Sequence, residues 1–410
     1  MSDLPPAALP AGAKDVLAVE AHELRAVEGA LGERFRRFGY REVMTPVLEF
    51  EEVVDRAGEG RDGAAFRLFD DHGRVLVLRP DLTIPVARLV ATRMADHPGP
   101  VRVSYVARVF RPVPVGRPRS SEQRQAGVEL VGADGPGADA EILALLVESL
   151  RAAGLAELRV GIADVSLTAA VLDGAGVAAG ARGALIAALA GRDLVEWRRL
   201  AREAAPAGAA GDLLARLPSL HGGAGLLDEV AAAIPAAADA CARLRSTLDL
   251  AAARGAGGAL MLDLSVLRPW SYYSGIVFEA SAPGVGEPIA MGGRYDGLGA
   301  RFGRSRPAVG LAITLDLLHR ALRAGDGPAG APRDGIVLAG GLDGEAEAAG
   351  AARAAGLAVI AVGEGEGEAE RVAEADGWRW VARRAGDGFD VTDRAAGTTA
   401  RLAALEEVAR

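Results

Sequence analysis

Two groups of polar residues have types and spacing that chemistry could use. The first lies in RPWSYYSGIVFEASAPGVGEPIAMGGRYDGL, residues 268–298, which holds three of the chain's five tyrosines: Tyr272, Tyr273 and Tyr295. Arg268, Glu279, Arg294 and Asp296 sit there among strand-forming residues, where they could line a polar site or form a salt bridge at a sheet edge. The second group runs from Asp81 and Thr83 through Arg111, Arg117 and Arg119 to Gln125 and Glu129. Its arginines suit an anion pocket for phosphate or carboxylate, or simply a solvated loop, while Asp81 and Thr83 could do no more than cap a helix.

Several elements must position these residues. Tyr272 to Phe278 has strand composition, a Gly/Pro-rich turn follows at 282–288, and IAMGGRYDGL opens as a second strand, which predicts a hairpin. Arg102 to Val109 and the stretch after Ser121 read as two strands around an Arg/Pro/Gly loop. Gln125, Gly127 and Glu129 then share one face of the returning strand. Pro80 ends a strand, and a helix begins near Leu82. A helix is predicted over 13–38, then a strand over 42–50 broken at Pro46, a short hairpin over 66–78, a helix over 139–153 and a strand over 157–162. Residues 168–254 are rich in alanine and leucine, carry no strand signal, and read as a helical insertion. The strand-like AVGLAI at 308–313 leads into a helix, a linker follows at 324–333, and strand and helix signals then alternate as in a small α/β domain with a mostly parallel sheet.

Composition narrows the function. The net charge is −9, and residues 332–410 hold nine arginines against fifteen acids, which argues against a broad nucleic-acid surface. The single cysteine, Cys241, excludes an intrachain disulfide and a cysteine-based zinc cluster. The letters GDGPAG at 325–330 match a dinucleotide fingerprint but precede a strand instead of following one, so the match carries no weight. No apolar run is long enough to span a membrane, and a soluble, cytoplasmic chain without metal or cofactor is expected.

In order along the chain, these segments resemble the class II aminoacyl-tRNA synthetases, and within them histidyl-tRNA synthetase. TPVLEF at 45–50 is similar to the dimer-interface motif, FR at 110–111 through GVE at 127–129 to the second motif, and AVGLAI to the third. RPWSYY and GGRYDGL resemble the histidine-specific signature. The resemblance implies an α+β fold: an antiparallel sheet flanked by helices over residues 1–325, with the helical insertion at about 168–254 and a small α/β C-terminal domain over 326–410. It also implies a histidine pocket made of Asp81, Thr83, Arg111, Gln125, Glu129, Arg268, Tyr272 and Tyr273.

The chain departs from that pattern where ATP would be handled. Val113 stands where the second motif has an acid, Asp316-Leu317 where the third has Glu-Arg, and Ser271 alters RGLDYY. Losing one charge-assisted contact to a transition state typically costs on the order of 10²–10³ in rate. A synthetase-like body with the pocket but without that arginine resembles the regulatory subunits of ATP phosphoribosyltransferase. That resemblance implies a non-catalytic, dimeric chain partnered with a short catalytic subunit, responsive to L-histidine and not bound to tRNA. The other readings are an active histidyl-tRNA synthetase and a stand-alone amino-acid sensor or ligase.

Overall fold

The computed structural model describes residues 9–56, 65–113, 120–204, 208–266, 272–324, 333–340, 346–363, 365 and 367–409. The chain divides into two compact units, one of residues 1–15 with 24–327 and one of 16–23 with 328–410.

The part of α1 (Ala18–Arg37) that belongs to the first unit, from Leu24 on, turns Leu24, Val27, Leu31 and Phe35 inward at helical spacing. The helix starts five residues later than the sequence pattern predicts. The broken strand is resolved as β1 (Arg41–Glu42) and β2 (Leu48–Phe50) on either side of Pro46. Buried Arg79 holds that bend by donating Nε to the Arg108 carbonyl at 2.8 Å and Nη1 to the Thr45 carbonyl at 2.7 Å. After α2 (Glu51–Arg56), strands β3 (Arg67–Phe69) and β4 (Val75–Leu78) form the expected hairpin and join β2 in a three-stranded sheet, order β2-β4-β3. Next come α3 (Thr83–Arg93), β5 (Val101–Phe110), β6 (Glu122–Val131), α4 (Pro136–Ala152) and β7 (Arg159–Asp164).

The insertion supplies α5 (Val165–Gly174), α6 (Ala179–Ala190), α7 (Leu194–Ala204), α8 (Ala209–Arg216), α9 (Leu226–Ala233) and α10 (Ala238–Ala253). It is not wholly helical. His221–Gly222 form β8, paired with β9 (Leu260–Asp263). A two-residue strand has no periodicity of its own, so only its partner reveals it.

The hairpin of the opening motif follows as β10 (Ile276–Ser281) and β11 (Ala290–Arg294), then β12 (Ala308–Thr314) and α11 (Leu315–Ala324). Tyr272 and Tyr273 precede β10 instead of opening it. Nine strands run in the order β1-β5-β6-β12-β11-β10-β7-β9-β8. The five central pairings, β5–β6, β6–β12, β12–β11, β11–β10 and β10–β7, are antiparallel, and the two parallel pairings, β1–β5 and β7–β9, flank them. Long, nearly continuous burial along β6, with Ala126, Val128 and Leu130 on one face, marks it as an interior strand.

The second unit contains β13 (Arg333–Ala339), α12 (Ala346–Ala354), β14 (Ala358–Val362), α13 (Glu368–Asp376), β15 (Trp378–Ala385), β16 (Gly388–Asp393) and β17 (Thr398–Leu402). Its sheet, order β14-β13-β15-β16-β17, is half parallel and half antiparallel, which corrects the mostly parallel expectation. Strand β17 is exposed along most of its length, so it lacks the apolar alternation that would announce it. Ile336 and Leu338 pack with α12 on one face of β13, and Val337 packs with α13 on the other.

Candidate functional site

The pocket is built on the middle of the large sheet. Gln125, Gly127 and Glu129 alternate along β6 and lie opposite Thr314, Ala312 and Gly310 of β12. Gly310 and Ala312 in turn face Gly293 and Met291 of β11. This small-residue floor leaves an open pocket, with Asp81 and Thr83 coming from the turn into α3, Arg111 from the end of β5, and Tyr272, Tyr273 and Tyr295 from around the hairpin. Seven of the eight candidate residues line it together. Arg268 lies outside the described residues, as do Arg117, Arg119 and Ser271.

Glu129 is at the bottom of the pocket and almost fully buried. Its Oε2 accepts from the Tyr295 hydroxyl, its Oε1 accepts from the Tyr105 hydroxyl at 3.4 Å, and Thr83 also hydrogen-bonds the carboxylate. Burial raises its pKa to about 8. The bonds from Tyr295, Thr83 and Tyr105 oppose that shift, and the nearby Asp81 adds to it. Burial likewise lifts the phenols of Tyr295 and Tyr105, with the Glu129 carboxyl beside them adding to the effect. Both tyrosines therefore remain hydrogen-bond donors to the carboxylate.

Asp81 serves two ends. Its Oδ1 accepts from the Ile84 N–H at 2.8 Å, which is the capping role that spacing alone would assign. Its Oδ2 is buried and has no hydrogen-bond partner among the described residues. A carboxylate oxygen in that state is costly unless a ligand donor meets it. Arg111 is half-buried at the pocket wall, and its Nε donates to the Pro80 carbonyl at 2.8 Å, so the strand end and the Asp81 turn are tied together. The Tyr272 and Tyr273 rings lie 4.9 Å apart at 59°, and Tyr272 meets Tyr295 edge-on at 6.0 Å.

The other polar residues of the motif are structural. Arg294 donates Nε and Nη2 to Asp139 of α4 at 2.9 and 2.7 Å, and Nη1 to Asp296 at 3.0 Å. Glu279 is buried and accepts from Arg192 of the insertion at 2.9 Å. These residues fix the hairpin to the body without lining the pocket. Tyr295, Tyr105, Gly310 and Gly293 belong to the site but escape a reading of local spacing. Of these, Tyr295 stands inside GGRYDGL, and that motif was the available signal. Among the described residues, no cluster of His, Cys, Asp and Glu could hold a metal, and no helix is long and apolar enough to cross a membrane.

Leu317 is half-exposed in the first turn of α11 and is not among the pocket-lining residues. Its neighbour Asp316 accepts the Arg124 backbone N–H at 3.0 Å through Oδ2, so this acid ties α11 to β6.

Fold and pocket together define a class II synthetase-like protein of the histidyl-tRNA synthetase type. The family described as histidyl-tRNA synthetase matches residues 12–318. A solved histidyl-tRNA synthetase from Nostoc sp. PCC 7120 superposes with a TM-score of 0.83 over 99% of both chains, at 19% identity, and so shares the fold. A solved protein from Bacillus halodurans C, titled an ATP phosphoribosyltransferase regulatory subunit/histidyl-tRNA synthetase, superposes with a TM-score of 0.81 at 30% identity over 93% of this chain and 99% of that one. ATP phosphoribosyltransferase regulatory subunits from Moorella thermoacetica and Rubrobacter xylanophilus are 43% and 41% identical, over 76% and 80% of this chain and 81% and 79% of theirs. The chain belongs to the ATP phosphoribosyltransferase regulatory subunit family, a histidyl-tRNA synthetase-like lineage.

Proposed function

We propose that this chain is a non-catalytic regulatory subunit of an ATP phosphoribosyltransferase, needed by a short catalytic subunit and responsible for histidine feedback at the first step of histidine biosynthesis. What supports the reading is a pocket lined by polar residues in a chain that carries a leucine, Leu317, at the aligned position where the synthetase pattern has its ATP-side arginine. The relatives' names support the regulatory role.

In this reading free histidine fills the pocket. The unpartnered Oδ2 of Asp81 receives the α-ammonium, Arg111 and Arg268 offer cations to the carboxylate, and Glu129 with the pocket tyrosines hydrogen-bonds the imidazole nitrogens. Ligands that leave any of these buried groups unpaired are rejected strongly. Feedback then requires that histidine bind one state of the assembly more tightly than the other. The chain works in the cytoplasm as part of a hetro-oligomer with a dimeric core, without tRNA.

The second reading, an active histidyl-tRNA synthetase, is favoured by the family match over residues 12–318. Histidine-dependent ATP–pyrophosphate exchange by the purified chain separates the two. No exchange is expected, together with activation of a co-purified short phosphoribosyltransferase chain that histidine then inhibits. Robust exchange would overturn the regulatory reading.

A further inference from the structure

A second pocket, which shares Tyr295 with the first, lies between α3 and the turn that follows the GGRYDGL motif. Its walls are apolar: Ala87, Val90 and Ala91 from α3, Ala95 just beyond it, Val131 at the end of β6, and Ala308 at the start of β12. Two arginines join this lining. Arg304 is largely exposed and pairs with the exposed Asp96 at 3.1 Å, a contact worth little in solvent. Arg306 is different. Its Nη2 donates to the Gly99 carbonyl at 2.7 Å, while Nη1 is buried and has no hydrogen-bond partner among the described residues.

A buried guanidinium nitrogen without an acceptor costs free energy that an anionic ligand would recover. The apolar walls discriminate between anions. Bare phosphate would leave them unfilled and lose its own hydration, whereas a carboxylate carried on a short branched hydrocarbon would satisfy Arg306 and cover the alanine and valine surface. Arg304 at the mouth, half-neutralised by Asp96, adds charge of the same sign. Tyr295 is common to both pockets: it lines the second one, and its hydroxyl bonds Glu129 in the first.

We propose that this pocket is a binding site for a small organic carboxylate with an apolar body, and that Tyr295 couples its occupancy to the amino-acid pocket. The site does not depend on the functional reading above, because it is defined by its own residues.

The test is calorimetry on the full chain with sodium isovalerate as probe, compared with isovaleramide and inorganic phosphate. Isovalerate is expected to bind at least tenfold more tightly than either comparator. Arg306→Gln removes the cation and is expected to weaken binding at least tenfold. Ala91→Leu fills the pocket from its apolar side without touching either arginine, and should do the same if the first variant folds poorly. Saturating isovalerate should shift the histidine dissociation constant at least twofold, with a reciprocal shift of equal size. Absence of isovalerate binding, binding undiminished in both variants, or phosphate binding as tightly as isovalerate would each overturn the site. An unshifted histidine constant would overturn the coupling. Failure of histidine to bind while isovalerate still binds would reject the functional reading and the coupling but leave the site standing.

Discussion

Gly310 lies directly across the β6–β12 ladder from Glu129, and a Cβ at Gly310 would overlap the Glu129 carboxylate. The absence of a side chain on one strand therefore sets the depth at which the acid on the next strand can sit. Gly310→Ala is expected to push Glu129 away from Tyr295 and Tyr105, at an overpacking cost of about 1–3 kcal/mol. The fold should survive, and histidine affinity should fall by about tenfold or more, the loss of about one hydrogen bond. Urea unfolding and calorimetry measure the two effects. Unchanged affinity in a folded variant would show that Glu129 does not need this seat.

Asp81→Asn separates capping from ligand binding. Asparagine keeps a side-chain oxygen for the Ile84 N–H, so the start of α3 should hold and stability should change by less than about 1 kcal/mol. The charge on the unpartnered Oδ2 is lost, so histidine should bind about 10- to 100-fold more weakly. A variant that binds histidine normally would leave Asp81 with the cap alone.

Glu129 makes stability depend on pH. Burial raises its pKa from the ordinary 4.5 to about 8, so between those values the folded chain holds a proton that the unfolded chain releases. The contribution is complete below about pH 4.5 and is lost as pH rises through about 8. Relative to Glu129→Gln, which cannot ionise, the natural protein should lose up to about 5 kcal/mol of stability over that range. Asp139, raised to about 6 by burial, titrates in both proteins and cancels in the comparison. Parallel pH–stability curves for the two would reject a buried, proton-holding Glu129.

The sequence made parts of this site readable because the carriers are local. Alternation along β6 places Gln125 and Glu129 on one face without knowledge of any neighbour, and Pro80 announces the turn that delivers Asp81 and Thr83. The partners of Glu129 are another matter. Tyr105 and Tyr295 are 24 and 166 residues away from it, and only the registers of β5–β6 and β12–β11 bring them near. Gly310 and Gly293 were hidden for the same reason, since a glycine's value here is the space it gives a residue on another strand. For Arg294 local spacing left a polar site and a salt bridge both open, because it cannot show Asp139, which lies on a helix 155 residues earlier. The half-antiparallel second sheet was missed through β17, whose exposed residues carry no pattern.

That Arg294–Asp139 pair gives the last prediction. Both side chains are buried, and Asp139 Oδ1 accepts from two guanidinium nitrogens. The Arg294 carbonyl also accepts the Ser274 N–H at 2.8 Å, next to Tyr273, whose ring covers Gly293 so closely that a Cβ there would meet it at 2.8 Å. Arg294→Met removes one partner and strands a buried carboxyl, and should cost about 3–5 kcal/mol. Arg294→Met combined with Asp139→Leu removes both charges and should recover most of that loss, because an apolar pair of similar volume avoids the desolvation penalty. Thermal unfolding of the single and double variants measures the difference. If the double variant is no more stable than Arg294→Met alone, the arginine side chain acts through Asp296 and not through its bridge to α4.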